Sequence, residues 1–379
     1  MIVMNNFRPD IRVLKEAKSS AACGYHLKII AMKSSNIPDE ESIEGITVKR
    51  LKLWSREIVP FNIKLLFIFE FILKSVIETL KLSPDIIHTH DLSALPSGWL
   101  SAKLSKAKLV YDSHEFWLGQ DKPLVSTGLG KWLLKQVEGF FIRRVDAVIT
   151  INQAIAQQLS EIYGIAQPTV VMNAQPLTNP PQSDKLRAAL GVDASTRIII
   201  YAAGIRPGRG LERLIDSARY FEENTMLVLM GPDRMEGELQ RYTKRQGLQS
   251  HVRFLPPVPE NDVAEYVAGA DVGIIAVPST SMNRYFGLGN KIFHYIAAGV
   301  PIAVSNQPER RRIVEEYEIG IVFDENDPQD IAAKTQALLR DPGMYQELRQ
   351  RAQEAHLSHL NWETEAEKLV QVYERLITE

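Results

Sequence analysis

Arg197-Ile198-Ile199-Ile200-Tyr201-Ala202-Ala203-Gly204-Ile205-Arg206-Pro207-Gly208-Arg209-Gly210-Leu211 is the stretch that decides the fold. Six residues dominated by isoleucine run into a turn carrying three glycines and two arginines, and a helical pattern follows. A short apolar run bounded in this way is a strand buried on both faces, and such strands belong to parallel sheets covered by helices. The turn has its own chemistry: glycines let the backbone approach an anion, a helix start offers unpaired N–H groups, and an Arg fork grips phosphate oxygens in pairs. Gly204, Arg206 and Arg209 are therefore candidate diphosphate-binding residues. A plain glycine-rich turn with solvated arginines is the alternative.

Outward from this stretch the pattern repeats. Downstream, apolar runs at 226–230, 252–255, 272–276, 301–304 and 321–323 alternate with helical spacing; upstream, runs at 28–31, 47–51, 85–88, 108–111, 147–150 and 169–171 alternate with helices at 11–22, 61–80 and 131–145. Residues 1–6 read as a strand entering a loop rather than as a signal peptide. Between the halves, residues 173–183 are rich in Asn, Pro and Gln and lack periodicity, which is the texture of a linker. The chain thus predicts two doubly wound α/β domains, 1–173 and 174–361, followed by an amphipathic helix over 362–379.

Composition agrees. The 379 residues exceed what one hydrophobic core usually holds, and 45% hydrophobic with 24% charged residues supply two cores. Lys plus Arg total 44 against 46 acidic residues, so no global positive field favours nucleic acid. The single cysteine, Cys23, forms no internal disulfide and suits a reducing, cytoplasmic compartment. The apolar stretch at 58–77 is interrupted by Lys64, Glu70 and Lys74, so it does not read as a spanning helix.

Ligands of open parallel sheets bind beyond the carboxyl ends of the strands. Asn283-Arg284-Tyr285-Phe286-Gly287-Leu288-Gly289-Asn290-Lys291 lies there and leads into a helix with Asn290 as its expected N-cap; Asn283, Gly287, Leu288, Gly289, Asn290 and Lys291 are candidates for a second anion site, or else a solvated surface loop. In the first half, Asp85-Ile86-Ile87-His88-Thr89-His90-Asp91 and Tyr111-Asp112-Ser113-His114-Glu115 bring His and carboxylates to strand ends. Metal binding is the tempting reading. No His sits at i, i+4 beside a Glu on a helix, however, and loop His and Asp more often support one another by hydrogen bonds.

These strings, with Arg8-Pro9-Asp10-Ile11-Arg12-Val13-Leu14-Lys15-Glu16-Ala17 and Asn290-Lys291-Ile292-Phe293-His294-Tyr295-Ile296-Ala297-Ala298-Gly299-Val300-Pro301, occur in the order found in nucleotide-sugar glycosyltransferases of the GT-B fold. The chain resembles glycosyltransferase family 4 along nearly its whole length. The resemblance implies a retaining, metal-independent transfer from a nucleoside diphosphate sugar, with an acceptor-binding first domain, a donor-binding second one and a last helix crossing back to the first. It implies that His114 lies against the donor sugar and that Arg209, in place of the family's usual Lys, neutralises the leaving diphosphate. Gly231 and the strand containing Arg253 and Phe254 are expected near the base. UDP-glucose is the first choice of donor, a glycan or lipid-linked acceptor the expected partner, and polysaccharide biosynthesis the expected setting. No metal or other cofactor is expected.

Three departures fall in these motifs. Arg206 is displaced toward the helix from the family's Gly-Arg pair, where Gly204 now stands. The family's two glutamates align with Phe286 and His294; His294 either meets the ribose with one donor and one acceptor nitrogen or simply packs at the helix start. The first-domain glycine pair is replaced by Phe7-Arg8-Pro9-Asp10, which makes Asp10 a candidate for steering the acceptor hydroxyl or, alternatively, a helix N-cap. A non-catalytic nucleotide-sugar-binding partner and a GT-B epimerase are the competing readings. The helices at 61–80 and 131–144, apolar with flanking Lys and Arg, either pack wholly on the sheet or rest on the cytoplasmic leaflet.

Overall fold

The computed structural model describes the chain except for Pro9, Ser35, residues 56–63, Glu260, Asn261 and Glu379. The start of the helix expected at 61–80 and Pro9 of the first motif lie outside the described residues.

Two compact units are present, one of Met1–Met172 with Glu365–Glu379, the other of Asn173–Thr364. The first holds an eight-stranded sheet of order β3-β4-β2-β1-β5-β6-β7-β8. Its strands are β1 Ile2–Val3, β2 Lys28–Met32, β3 Glu40–Ile43, β4 Ile46–Leu51, β5 Ile86–His90, β6 Lys108–Ser113, β7 Ala147–Thr150 and β8 Thr169–Val170. All neighbours pair parallel except β3, which runs antiparallel to β4. The polar run Glu40-Glu41-Ser42 carries no strand signal, and β3 sits at the edge, where one solvated face suits such residues. Val3, Phe7, Val13, Ala17, Ile29, Ala31, Ile46 and Val48 form the core on the face covered by the helix Ile11–Ala22.

The second unit holds a six-stranded parallel sheet of order β11-β10-β9-β12-β13-β14. Its strands are β9 Arg197–Ala202, β10 Thr225–Met230, β11 Val252–Leu255, β12 Val272–Ile275, β13 Ile302–Ser305 and β14 Gly320–Phe323. Every residue of β10, β12 and β13 is buried, as expected of strands covered on both faces.

In each sheet the strand order reverses once, between β1 and β5 and between β9 and β12, and such switch points open crevices for ligands. At the second, β9 and β12 pair only at Val272–Ile199 and Gly273–Ile200. The Tyr295 hydroxyl fills the space beyond, accepting from the Ala202 amide at 3.0 Å and facing the carbonyls of Ile200 and Ile274.

The helix expected at 131–145 runs over Gly128–Ile142. The Thr127 hydroxyl accepts from the Gly130 amide at 3.1 Å and starts it a turn early. The last helix, Trp362–Thr378, begins with Asn361 accepting from the Thr364 amide at 2.9 Å. No helix of the described residues is long and apolar enough to cross a membrane.

Candidate functional site

In the first unit the carboxyl ends of β5 and β6, with the residues that follow them, and the inner face of the helix Ile11–Ala22 build one buried polar cluster. Arg12 is its centre. Its guanidinium grips Asp112 through Nε and Nη2 at 3.0 and 3.1 Å, donates from Nη1 to the Val171 carbonyl at 2.8 Å, and faces Glu16 at 3.0 Å. His114 Nε2 meets Asp112 Oδ2 at 3.0 Å, while its backbone amide donates to Asp91 at 3.2 Å. Asp91 adopts a left-handed φ of 64°, which a short polar side chain tolerates best, and also accepts from the Trp117 indole at 3.3 Å.

Burial works to lower the His114 imidazolium, but the carboxylates of Asp112 and Asp91 overcome it and push the group up to about 9. His114 is therefore a cation at neutral pH. Burial pushes the Glu16 carboxyl up to about 8 against the pull of Arg12, so Glu16 keeps its proton. Burial would also raise Asp112, yet Arg12 and His114 hold it well below the usual carboxylate range. His88 and His90 stack at 4.3 Å and stay neutral, each lowered first by burial.

Glu16, His88, His90 and Asp112 each offer one atom, all within 4.8 Å of one another, a donor set of metal-binding type. Arg12 already stands beside both carboxylates, so a cation entering there must displace a buried, bidentate guanidinium. Asp10 is the N-cap of the helix Ile11–Ala22 and accepts from Asn5 Nδ2 at 2.8 Å, which is one of the two roles its sequence position allowed.

In the second unit the loop after β9 bends over the sheet end. Gly210, with φ 71°, lies where a Cβ would stand 2.3 Å from the Ala276 carbonyl, so no larger residue fits. The Ile205 amide donates to the Pro232 carbonyl at 3.0 Å, tying this loop to the one after β10, which contains Gly231. The Arg206 guanidinium folds against Gly204. Arg284 donates to the Gly208 carbonyl and to Thr280 Oγ1 at 2.9 Å.

Arg209 is half-buried, and burial, then the charges of Arg206 and Arg284, lower its proton affinity. It remains a cation. Among the described residues no carboxylate pairs with Arg206 or Arg209. Lys291 opens the seven-residue helix Lys291–Ala297 close by in sequence.

Arg253 donates to the Gln249 and Val252 carbonyls, toward the amino end of the edge strand β11, and Phe254 packs on the core. Asn290 stands at the expected N-cap position but makes no capping hydrogen bond, because its φ of −64° and ψ of −24° are helical rather than extended. His294 is 5% exposed, and its Nε2 lies 3.3 Å from Gln175 Nε2. Asn283 lies on the short helix Met282–Phe286, Phe286 is buried against Tyr285, Leu288 is buried, and Gly287 and Gly289 flank it. Arg12, Glu16 and Arg310 escaped the sequence reading. The i, i+4 spacing of Arg12 and Glu16 on an otherwise apolar inner face was the available signal for the first two.

Residues 182–355 match the family model for glycosyl transferases group 1, and residues 10–174 match the glycosyl transferase 4-like domain. D-inositol 3-phosphate glycosyltransferase of Jonesia denitrificans is 24% identical over 390 residues, covering 97% of this chain and 90% of that protein. The protein of the same description from Rhodococcus opacus is 24% identical over 385 residues, covering 96% and 84%. Among solved structures, sucrose-phosphate synthase of Thermosynechococcus elongatus is similar with a TM-score of 0.81 at 21% identity, over 100% of this chain and 98% of that one. HepE of Anabaena, solved with UDP and glucose, is similar with a TM-score of 0.75 at 18% identity, over 100% and 98%. Matched in both halves and sharing this fold end to end, the chain belongs to the group 1 glycosyltransferases with a GT-B fold.

Proposed function

We propose that this chain is a retaining, metal-independent hexosyltransferase that takes a sugar from a uridine diphosphate donor, glucose first, and passes it to a glycan or lipid-linked acceptor in polysaccharide biosynthesis. The observation that carries this reading is Arg209, on the loop after β9 at the sheet switch point, with the charges of Arg206 and Arg284 and no carboxylate acting on it. Arg206 and Arg209 bring two guanidinium groups to one glycine-rich loop, and a diphosphate whose negative charge grows as the sugar leaves is the group they suit. Support comes also from HepE, which has been solved with UDP-glucose as well as with UDP.

In this reading the second unit holds the donor and the first presents the acceptor. The C–O bond between sugar and phosphate breaks, the acceptor oxygen bonds to the same face of the sugar carbon, and its proton passes to the departing phosphate oxygen. His114, already protonated, acts as a hydrogen-bond donor and not as the base. Arg209 neutralises the leaving group in the role a divalent cation fills elsewhere.

We place the protein in the cytoplasm, resting peripherally on the membrane. In the helix Gly128–Ile142, Leu129 is 69% and Trp132 56% exposed, with Leu133, Val137 and Phe140 beside them. The helix's one acid, Glu138, is buried under the hydroxyls of Tyr111 and Tyr163, so its solvent face carries only Lys131 and Lys135 as charges. An apolar face with a positive fringe suits anionic headgroups.

The test is calorimetric titration with UDP, GDP and their glucose, N-acetylglucosamine and mannose conjugates, with and without EDTA, followed by nucleotide release on adding acceptors. D-inositol 3-phosphate joins the acceptor panel because of the relatives' description. EDTA-insensitive binding of one nucleotide sugar and acceptor-dependent release support the reading. Binding without release under any acceptor favours the non-catalytic partner, and absence of binding overturns the donor site.

A further inference from the structure

Arg310 lies in the first turn of the helix Pro308–Glu316, after β13, and is 3% exposed. Its donors go to neutral groups. Nε donates to the Leu288 carbonyl at 3.3 Å, and Nη1 to the Val277 carbonyl at 3.2 Å, to Ser305 Oγ at 2.9 Å and to Gln307 Oε1. The acid nearest by bonding, Glu325, reaches it only through Gln307, whose Nε2 donates to Glu325 at 2.7 Å. One buried guanidinium thus fastens the ends of β12 and β13 to the loop before the helix Lys291–Ala297.

Two consequences follow for an anion bound at this sheet end. First, the Leu288–Gly289 peptide is trans, so its C=O and N–H point in opposite directions. With the carbonyl drawn inward to Arg310, the Gly289 N–H is turned outward, and Gly289 is exposed with φ 84° and open space around its Cα. Second, a buried cation with no carboxylate in contact is costly until an anion arrives nearby. The charge of Arg209 already reaches Arg310: burial, then the balance of Glu325 against Arg209, brings Arg310 down to about 10.

We infer that Arg310 is a positioning residue of the donor site, aiming the Gly289 amide at the phosphate groups of a nucleoside diphosphate and lending its buried charge to hold them. The inference rests on the donor reading of the second unit. It adds a residue that touches no ligand itself and acts through the Leu288 carbonyl and through the field around Arg209.

The experiment compares the affinities of UDP and uridine, with GDP and guanosine beside them, for the full chain and for Arg310→Met and Arg310→Lys. UDP binding should weaken about tenfold in Arg310→Met, the loss of one charge-assisted interaction, while uridine binding stays unchanged. Arg310→Lys keeps the charge without the fork and should show a smaller loss confined to the diphosphate. Should Arg310→Met fail to fold, the UDP-to-uridine ratio in Arg310→Lys decides alone. Parallel losses for UDP and uridine, or no loss for either, overturn the inference and leave the donor reading intact. An unsubstituted chain that prefers neither diphosphate to its nucleoside overturns both.

Discussion

His114 and Asp112 face one another at 3.0 Å, Nε2 to Oδ2, at the carboxyl end of β6, and Arg12 grips both oxygens of the same carboxylate. One buried anion therefore serves two cations. Charge in the first unit is arranged so that the imidazole stays protonated and the guanidinium stays still.

Stability should decline as pH rises through this cluster. Glu16 is raised from 4.5 to about 8 and His114 from 6.5 to about 9 on folding, so the folded state binds more protons between these limits. Stability from His114 is complete below about pH 6.5 and lost as pH climbs through 9; that from Glu16 is complete below 4.5 and lost through 8. Thermal melts should show a falling Tm from pH 6.5 to 9, with a shallower slope in His114→Gln. A flat profile contradicts the assignment.

Arg12→Met should destabilise the chain by roughly 3–5 kcal/mol, because Asp112 is left charged and buried with the Val171 carbonyl unserved. Adding Asp112→Asn should recover part of the loss. Urea unfolding of both variants is the measurement, and additive effects would sink the coupling.

Arg209→Ala should cut turnover about a hundredfold or more, the usual loss when one preorganised charge leaves a developing anion, about 3 kcal/mol. The Tm should hardly move, since Arg209 makes no ion pair with a described carboxylate. Arg209→Lys should restore much of the rate. Nucleotide release under saturating donor reports both, and unchanged turnover in folded Arg209→Ala rules out the role.

Trp132→Asp should abolish sedimentation with vesicles containing phosphatidylglycerol, and Lys131→Gln with Lys135→Gln should weaken it in a salt-dependent manner. Neutral phosphatidylcholine vesicles should bind the unsubstituted chain poorly. Equal partition onto both lipids would show that the charged fringe is irrelevant.

The sheets and their ligand-bearing ends were legible because buried parallel strands are written as apolar runs and their loops as glycine, arginine and histidine. The edge strand β3 was not, since Glu40 is exposed, Glu41 turns its carboxylate to the buried Arg50 at 2.6 Å, and the run follows no apolar pattern. Asn290 has the composition of a cap but not its backbone angles, which neighbouring turns impose. Arg12 and Arg310 looked like two among many surface arginines; only packing shows that one serves a carboxylate from a strand about a hundred residues away and the other fastens three loops. Hydrogen bonds between distant segments leave no periodic trace.

The second unit, Asn173–Thr364, lies in sequence inside the first, which is completed only by Glu365–Glu379. The Met172 amide donates to Glu365 at 2.8 Å, and the Trp362 amide to the Gln175 carbonyl at 2.8 Å, so the outgoing and returning segments are stitched at the same place. A single recombination event in the linker therefore cannot trade one second unit for another without also replacing the helix that finishes its host. Exchange needs paired breakpoints, and a nonsense codon near the end of the gene injures the half encoded at its beginning.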